Sequence, residues 1–204
     1  MTASAMADIA DLLNRGGVMV IPTDTFYGLA ASPFHEKAIR RVRMLKGRPE
    51  DKPILILIAD RSQLNPLVGD VTAAANVLMD WFWPGPLTLI MAASRTLSQV
   101  LTAGTQSIGI RQPGHAALRD LLSYVGPVTG TSANRSGDRP ASTVEETQQM
   151  FETGVDLVLD DGSTHGGLPS TVITTTDTVR ILREGAISRK DIQASLASIG
   201  MSLG

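Results

Sequence analysis

The stretch Val18-Met19-Val20-Ile21-Pro22-Thr23-Asp24-Thr25-Phe26-Tyr27-Gly28 joins two kinds of chain. Its first four residues are apolar, partly β-branched and halted by a proline, the pattern of a short buried strand. Residues 22–28 then place Thr23 and Thr25 just beyond that strand. In open α/β sheets, ligands bind outside the carboxyl ends of strands. Threonine hydroxyls can both donate and accept there. The segment reads equally as a polar turn capped by Asp24.

The flanking chain supports the same class. Before the strand, residues 4–15 carry Met6, Ile9, Leu12 and Leu13 at helical spacing and end at Gly16-Gly17. Beyond it, helices are expected at 35–45, 71–82, 114–124, 143–150 and 188–197. Strands are expected at 54–59, 87–93, 107–111, 126–129, 155–159, 171–175 and 178–182. Trp83-Pro84-Gly85-Pro86 breaks the third helix. This interleaving predicts an α/β fold. Thr176-Asp177 reads as a hairpin between the last two strands, so the sheet should be mixed. No linker or repeat interrupts the chain, and one domain over residues 4–195 is expected.

Composition excludes several functions. With 43% hydrophobic residues and 19% charged, the chain can bury a core. The net charge of −2 argues against a globally basic nucleic-acid binder. There is no cysteine, so disulfides, thiol catalysis and Cys-ligated zinc are ruled out. His35, His115 and His165 lack metal-ligand spacing, and no metal site is expected. No signal peptide or 18-residue apolar run is evident, so the expectation is a cytoplasmic protein without a membrane segment.

Four further segments hold candidate chemistry. A basic run from Lys37 to Lys52 includes Arg40, Arg41, Arg43, Lys46 and Arg48. Arginine forks and lysine point charges both suit phosphate. Arg40 and Arg41 read best as a solvated helix face, whereas Lys46, Arg48 and Lys52 precede a buried strand. Gly130-Thr131-Ser132-Ala133-Asn134-Arg135-Ser136-Gly137 follows another strand, and its small residues allow backbone amides to approach a ligand. It is neither a P-loop nor a dinucleotide fingerprint. Arg111 ends an apolar strand, where it can grip a carboxylate; His115 reads as a helix-start residue. Residues 160–171, with three glycines, read as a loop able to close over a ligand.

Together, Pro22-Thr23-Asp24-Thr25-Phe26-Tyr27-Gly28, Lys46-Gly47-Arg48-Pro49, Lys52-Pro53, Trp83-Pro84-Gly85-Pro86, Gly109-Ile110-Arg111, Thr131-Ser132-Ala133-Asn134-Arg135-Ser136-Gly137, Pro169-Ser170-Thr171-Val172 and Arg183-Glu184-Gly185 resemble the YrdC/Sua5 family. The motifs run in the family's order from about residue 8 to about 190. The resemblance implies a single-domain twisted mixed sheet with flanking helices and a positive cavity. It implies a nucleotidyltransferase, an L-threonylcarbamoyladenylate synthase. Such an enzyme joins L-threonine, bicarbonate and ATP, releases pyrophosphate and feeds t6A modification at tRNA position 37 through a separate transferase complex. Mg2+ is expected to arrive with the triphosphate.

By the same resemblance, Thr25, Tyr27, Arg111 and Ser170 contact threonine. Arg48, Lys52, Ser107, Ser132, Asn134, Ser142 and Arg183 contact ATP, and Lys46 and Arg48 are the catalytic cations. Two features differ from some members. The chain resembles the short form without a second domain, and Leu57 stands where some members carry a histidine. Two other readings come from the resemblance: an RNA-binding homologue without synthase activity, and the carbamoyl-adenylate chemistry of hydrogenase-maturation proteins.

Overall fold

The computed structural model describes residues 1–164 and 166–204; His165 lies outside the described residues. The elements follow in chain order α1 (Ala3–Asn14), β1 (Val18–Ile21), β2 (Gly28–Ala31), α2 (Glu36–Lys46), β3 (Ile56–Leu57), α3 (Ala73–Phe82), β4 (Leu87–Ala92), α4 (Gln99–Thr102), β5 (Ser107–Arg111), α5 (Ala116–Val125), β6 (Val128–Thr129), β7 (Thr131–Ser132), α6 (Val144–Met150), β8 (Leu157–Val158), β9 (Thr171–Thr174), β10 (Arg180–Arg183) and α7 (Arg189–Ala197). A 3-10 turn spans Arg61–Leu64.

The fold is the expected mixed α/β class, with its hydrogen-bonded ladder divided in two. One sheet has the order β7-β2-β1-β8, the other β10-β9-β4-β5-β3-β6. Both mix parallel and antiparallel neighbours. The chain crosses between the sheets at Gly130, which separates β6 from β7 and bonds through its N–H to Leu55 O at 2.9 Å. A Cβ at Gly130 would run into the Leu57 side chain of β3, so glycine lets the chain pass close to β3 as it leaves the six-stranded sheet.

Strand β1 shows why its sequence is wholly apolar. Val18 and Val20 join one core cluster, together with α2, α3 and α7 residues such as Ile39, Leu78 and Ile192. Met19 and Ile21 join another, with Ile9 and Leu13 of α1 and Leu118 and Leu122 of α5. The strand is therefore covered on both faces, which requires a continuous apolar run in place of alternation. Burying each such side chain contributes about 1.5–3 kcal/mol as an upper bound.

Helix ends follow local chemistry. Thr2 caps α1 by accepting from Ala5 N, and His35 and His115 cap α2 and α5 in the same way. Gly47 ends α2 in the left-handed region at φ 56°. His115 is thus the helix-start residue expected.

Two strands, β2 and β7, depart from the sequence expectation. The Gly-Leu-Ala-Ala of β2 lacks the β-branched residues that signal a strand; it forms because β1 lies antiparallel beside it, Ile21 opposite Gly28. The runs at 54–59, 126–129 and 155–159 pair over only two residues each. The hairpin around Thr176-Asp177 forms as expected, with β9 and β10 antiparallel and a register shift between Ile181 and Arg183. Among the described residues, no helix is long and apolar enough to cross a membrane.

Gly185 follows β10 and lies against the start of β9. A Cβ there would collide with Pro169 O and fall 2.6 Å from Ser170 C and Thr171 N. These are backbone atoms and cannot swing aside. Gly185→Ala is therefore expected to destabilise the protein by about 1–3 kcal/mol, lowering the melting temperature by roughly 3–10 °C and moving Ser170. A thermal melt identical to wild type would refute this close approach.

Candidate functional site

The ends of β1 and β5, the crossing at Gly130 and the segments beside β9 and β10 enclose a cavity of about 280 Å3. That is near the lower end of the range for ligand sites. Thr23, Thr25, Arg48, Arg111, Ser132, Ser170 and Arg183 line it, with an apolar wall from Phe26, Leu55, Leu57, Pro140 and Pro169. Leu57 faces the cavity directly, so the wall is aliphatic at that point.

The turn after β1 is built by Thr23. Its hydroxyl donates to Phe26 O at 2.7 Å and accepts from Thr25 N at 3.1 Å. This local bonding offers the backbone an alternative to continuing the strand. The Thr25 hydroxyl lies 3.1 Å from Thr23 Oγ1 and accepts from Arg111 Nη1 at 3.1 Å. Tyr27 is wholly buried, and its hydroxyl donates to Gly162 O at 2.6 Å. Burial pushes this phenol pKa upward. Tyr27 thus ties the cavity wall to the glycine-rich loop. That loop is also held by Gly166 N to Thr25 O at 2.9 Å and by His115 Nε2 against Asp161 Oδ2 at 2.9 Å.

Arg111 ends β5 and is only 5% exposed. Nε donates to Gly85 O at 3.0 Å, and Nη2 lies 2.7 Å from Asp24 Oδ1. The alignment of this contact is poor for a hydrogen bond, and charge attraction is the larger part of what Asp24 supplies. Burial lowers the Arg111 pKa and Asp24 opposes the shift. Arg183 donates to Ser170 O at 2.8 Å and to Ser170 Oγ at 3.1 Å, and Ser170 Oγ lies 2.9 Å from Thr88 Oγ1. Burial lowers the Arg183 pKa, and the charge of Arg111 adds to the effect. Arg48 bends back to Lys52 O and Pro53 O, at 3.2 and 2.6 Å. Its pKa is lowered by burial first and by Arg43 next.

Lys46 stands beside this cavity and is not part of its lining. It is 4% exposed, and Nζ meets Ser132 O at 2.6 Å, Asn134 Oδ1 at 2.9 Å, Asn134 O at 3.0 Å and Ser132 Oγ at 3.3 Å. Asn134 in turn donates to Arg135 O and Asp138 O. Burial, with Arg48 in support, brings the Lys46 pKa down to about 8. The Lys-x-Arg and Ser-x-Asn segments are therefore one network, with Lys46 binding α2 to the chain after β7.

Other expected residues lie apart. Ser107 is at the opposite end of β5 from Arg111, with its hydroxyl 3.0 Å from Thr105 Oγ1. Alternation puts both on the same sheet face. Ser142 precedes α6, and its carbonyl accepts from Thr164 N at 2.9 Å. Lys52 is exposed on the loop after α2. Arg43 is occupied by the carbonyls of Val100, Pro49 and Lys52. Arg41 makes a paired contact with Asp156 at 2.7 and 2.8 Å, so it bridges α2 to the approach of β8 and is not merely solvated. Among the described residues, no group of three or more His, Asp or Glu is placed to hold a metal. The sequence reading missed the pairing of Asp24 with Arg111. The available signal was Arg111 itself, since a buried arginine ending an apolar strand needs a counter-charge.

Comparison with known proteins adds a family. A family model for Sua5, YciO and YrdC proteins, described as "Telomere recombination", matches residues 11–185. A threonylcarbamoyl-AMP synthase of Bacillus subtilis is 36% identical over 202 residues, covering 98% of this chain and 58% of that protein. One of Idiomarina loihiensis is 34% identical over 162 residues, 78% of this chain and 87% of that protein. The structure of Pyrococcus abyssi Sua5 complexed with L-threonine superposes with a TM-score of 0.91 at 31% identity, covering all of this chain and 59% of that one. The chain thus spans little more than half the length of the Bacillus and Pyrococcus relatives.

Proposed function

The chain belongs to the Sua5/YciO/YrdC family, and from that we propose that it is an L-threonylcarbamoyladenylate synthase. The observation that carries the reading is the convergence of three arginines, buried Arg111, half-buried Arg48 and the more exposed Arg183, on one small cavity with threonine and serine hydroxyls. Each guanidinium is disfavoured as a cation by its burial. An arriving anion relieves that cost, so the site is preorganised for negative charge.

In this reading the threonine amine adds to carbon dioxide derived from bicarbonate and loses a proton, giving a carbamate. A carbamate oxygen then attacks the α-phosphorus of ATP, and the bond to pyrophosphate breaks. The reactants are anions, so positioning and charge supply the catalysis. Arg111, Thr25 and Ser170 receive threonine, with Tyr27 behind them. Arg48 and Arg183 face the phosphates with Ser132 beside them, and Asn134, Ser107, Ser142 and Lys52, which lie outside the cavity lining, are nucleotide contacts on the family pattern alone. Lys46 orders the Ser132–Asn134 segment. Mg2+ enters with ATP as part of that substrate. The product then passes to a transferase complex for t6A formation at tRNA position 37. We take residues 4–195 as one folding unit, because β1 pairs with β8 and α3 packs on α7, and place the reaction in the cytoplasm with its tRNA.

The RNA-binding alternative is weaker for a physical reason. Arg41 and Arg43 of the basic run are engaged with Asp156 and with backbone carbonyls, which leaves fewer cations for a phosphate backbone.

The test is pyrophosphate release by the purified protein with ATP and Mg2+, omitting L-threonine or bicarbonate in turn. Release is expected only when both are present. Release that ignores threonine, or none at all alongside salt-sensitive RNA binding, would remove the synthase reading.

A further inference from the structure

We infer that Asp24 is a positioning residue: from behind the cavity, it holds the Arg111 guanidinium in the orientation that receives the substrate carboxylate. This rests on the synthase reading for the identity of the substrate.

Thr23 and Thr25 line the cavity, whereas Asp24 between them is not in the lining. Its carboxylate has a neighbour on each side. Oδ1 lies 2.7 Å from Arg111 Nη2. Oδ2 faces Gly114, where even a Cβ would come within 2.9 Å. Glycine at 114 leaves Oδ2 its place, and any side chain there would press on the carboxylate.

The guanidinium is fixed at three nitrogens by three groups. Gly85 O takes Nε, Thr25 Oγ1 takes Nη1 and Asp24 faces Nη2. Three such points define the plane of a rigid fork. Asp24 is the only one of the three that carries charge. It opposes the burial that would otherwise disfavour the Arg111 cation, and the Arg111 charge in turn disfavours the Arg183 cation. Among the described residues, Nη2 of Arg111 and Oδ1 of Asp24 are the two buried side-chain atoms without an aligned hydrogen bond. Buried groups of this kind in a native structure call for a functional account. Here the short Asp24 contact sits on the buried side of the guanidinium and sets its plane, while another edge of Arg111 lines the cavity and is left for a second acceptor. An α-carboxylate in the cavity is that acceptor.

The expected consequence is selectivity for the carboxylate, and not affinity in general. Binding of L-threonine and of L-threoninamide, which lacks the negative charge, is measured by calorimetry without ATP. Steady-state KM and kcat are measured alongside. Asp24→Asn keeps the shape and removes the charge. It is expected to weaken L-threonine binding by roughly 10- to 100-fold, while threoninamide binding and the KM for ATP change by no more than about twofold. Gly114→Ala, which crowds Oδ2 but retains the charge, serves if Asp24→Asn does not fold. It is expected to weaken threonine selectively in the same way, by about threefold.

Equal losses for threonine and threoninamide, or no loss for either, would overturn the positioning role. Wild-type protein that binds threonine selectively but releases no pyrophosphate would overturn the synthase reading and leave this inference standing. Wild-type protein that binds neither compound would overturn both.

Discussion

Arg111→Ala is expected to lower kcat/KM for L-threonine by about two to three orders of magnitude, the usual result of truncating one partner of a buried, hydrogen-bonded charge pair. Three contacts disappear together, to Gly85 O, Thr25 Oγ1 and Asp24. Asp24 is then left without its cation, which is expected to cost about 2 kcal/mol of stability, below the range for a fully buried pair because Asp24 keeps some solvent contact. Arg111→Lys separates the two effects. A lysine restores the charge beside Asp24 but cannot reach all three partners at once, so stability should recover before activity does. The measurements are urea unfolding and the pyrophosphate assay on both variants. Arg111→Ala protein with an unchanged KM for threonine would remove Arg111 from the substrate site.

The contrast between Arg111 and its surroundings shows what the sequence can and cannot tell. Val18–Ile21 and Ser107–Arg111 are legible because an apolar run halted by a proline or an arginine fits a buried strand end and little else. Thr25, Arg48, Arg111, Ser132, Ser170 and Arg183 line one cavity. The split into two sheets is not legible. It depends on β2 and β7, short segments whose pairing comes from tertiary neighbours and not from their own propensity. The basic run misleads for a related reason. Composition sees seven cations between Lys37 and Lys52, but only the fold shows that Arg41 and Arg43 hold the protein together while Arg48 lines the cavity. Asp24 is hidden in the same way, since the bend after β1 turns it out of the cavity lining between Thr23 and Thr25.

Lys46→Met has the second-largest expected effect, and by a different route. Nζ satisfies four oxygens of Ser132 and Asn134. Methionine fills the space but donates nothing, so buried acceptors lose a charged partner. A loss on the order of 3 kcal/mol is expected, or a melting temperature lower by roughly 6–12 °C, together with a collapse of ATP-dependent activity as Ser132 and Asn134 move. The effect also carries a pH signature. The Lys46 pKa falls from its ordinary value of 10.5 to about 8 in the folded protein, so between these values the unfolded chain binds the extra proton. Stability then rises with pH. The burial penalty is fully present below pH 8 and is relieved as pH rises toward 10.5. Wild type should therefore gain on Lys46→Met by about 1–3 kcal/mol between pH 7.5 and pH 9.5. A gap that stays constant or narrows would show that the four oxygen partners offset the cost of burial and that the Lys46 pKa is not lowered.

The parallel pairing of β1 with β8, Met19 opposite Leu157, also bears on how the chain comes off the ribosome. One edge of β1 can be covered at once by β2, its near neighbour in sequence. The other edge must wait for residues translated well over a hundred positions later, roughly 7–30 s at about 5–20 residues per second. During that interval Val18–Ile21 presents an open, apolar strand edge, the kind of surface that pairs with other chains. The segment that organises the finished site is thus also the one a nascent chain most needs to have shielded.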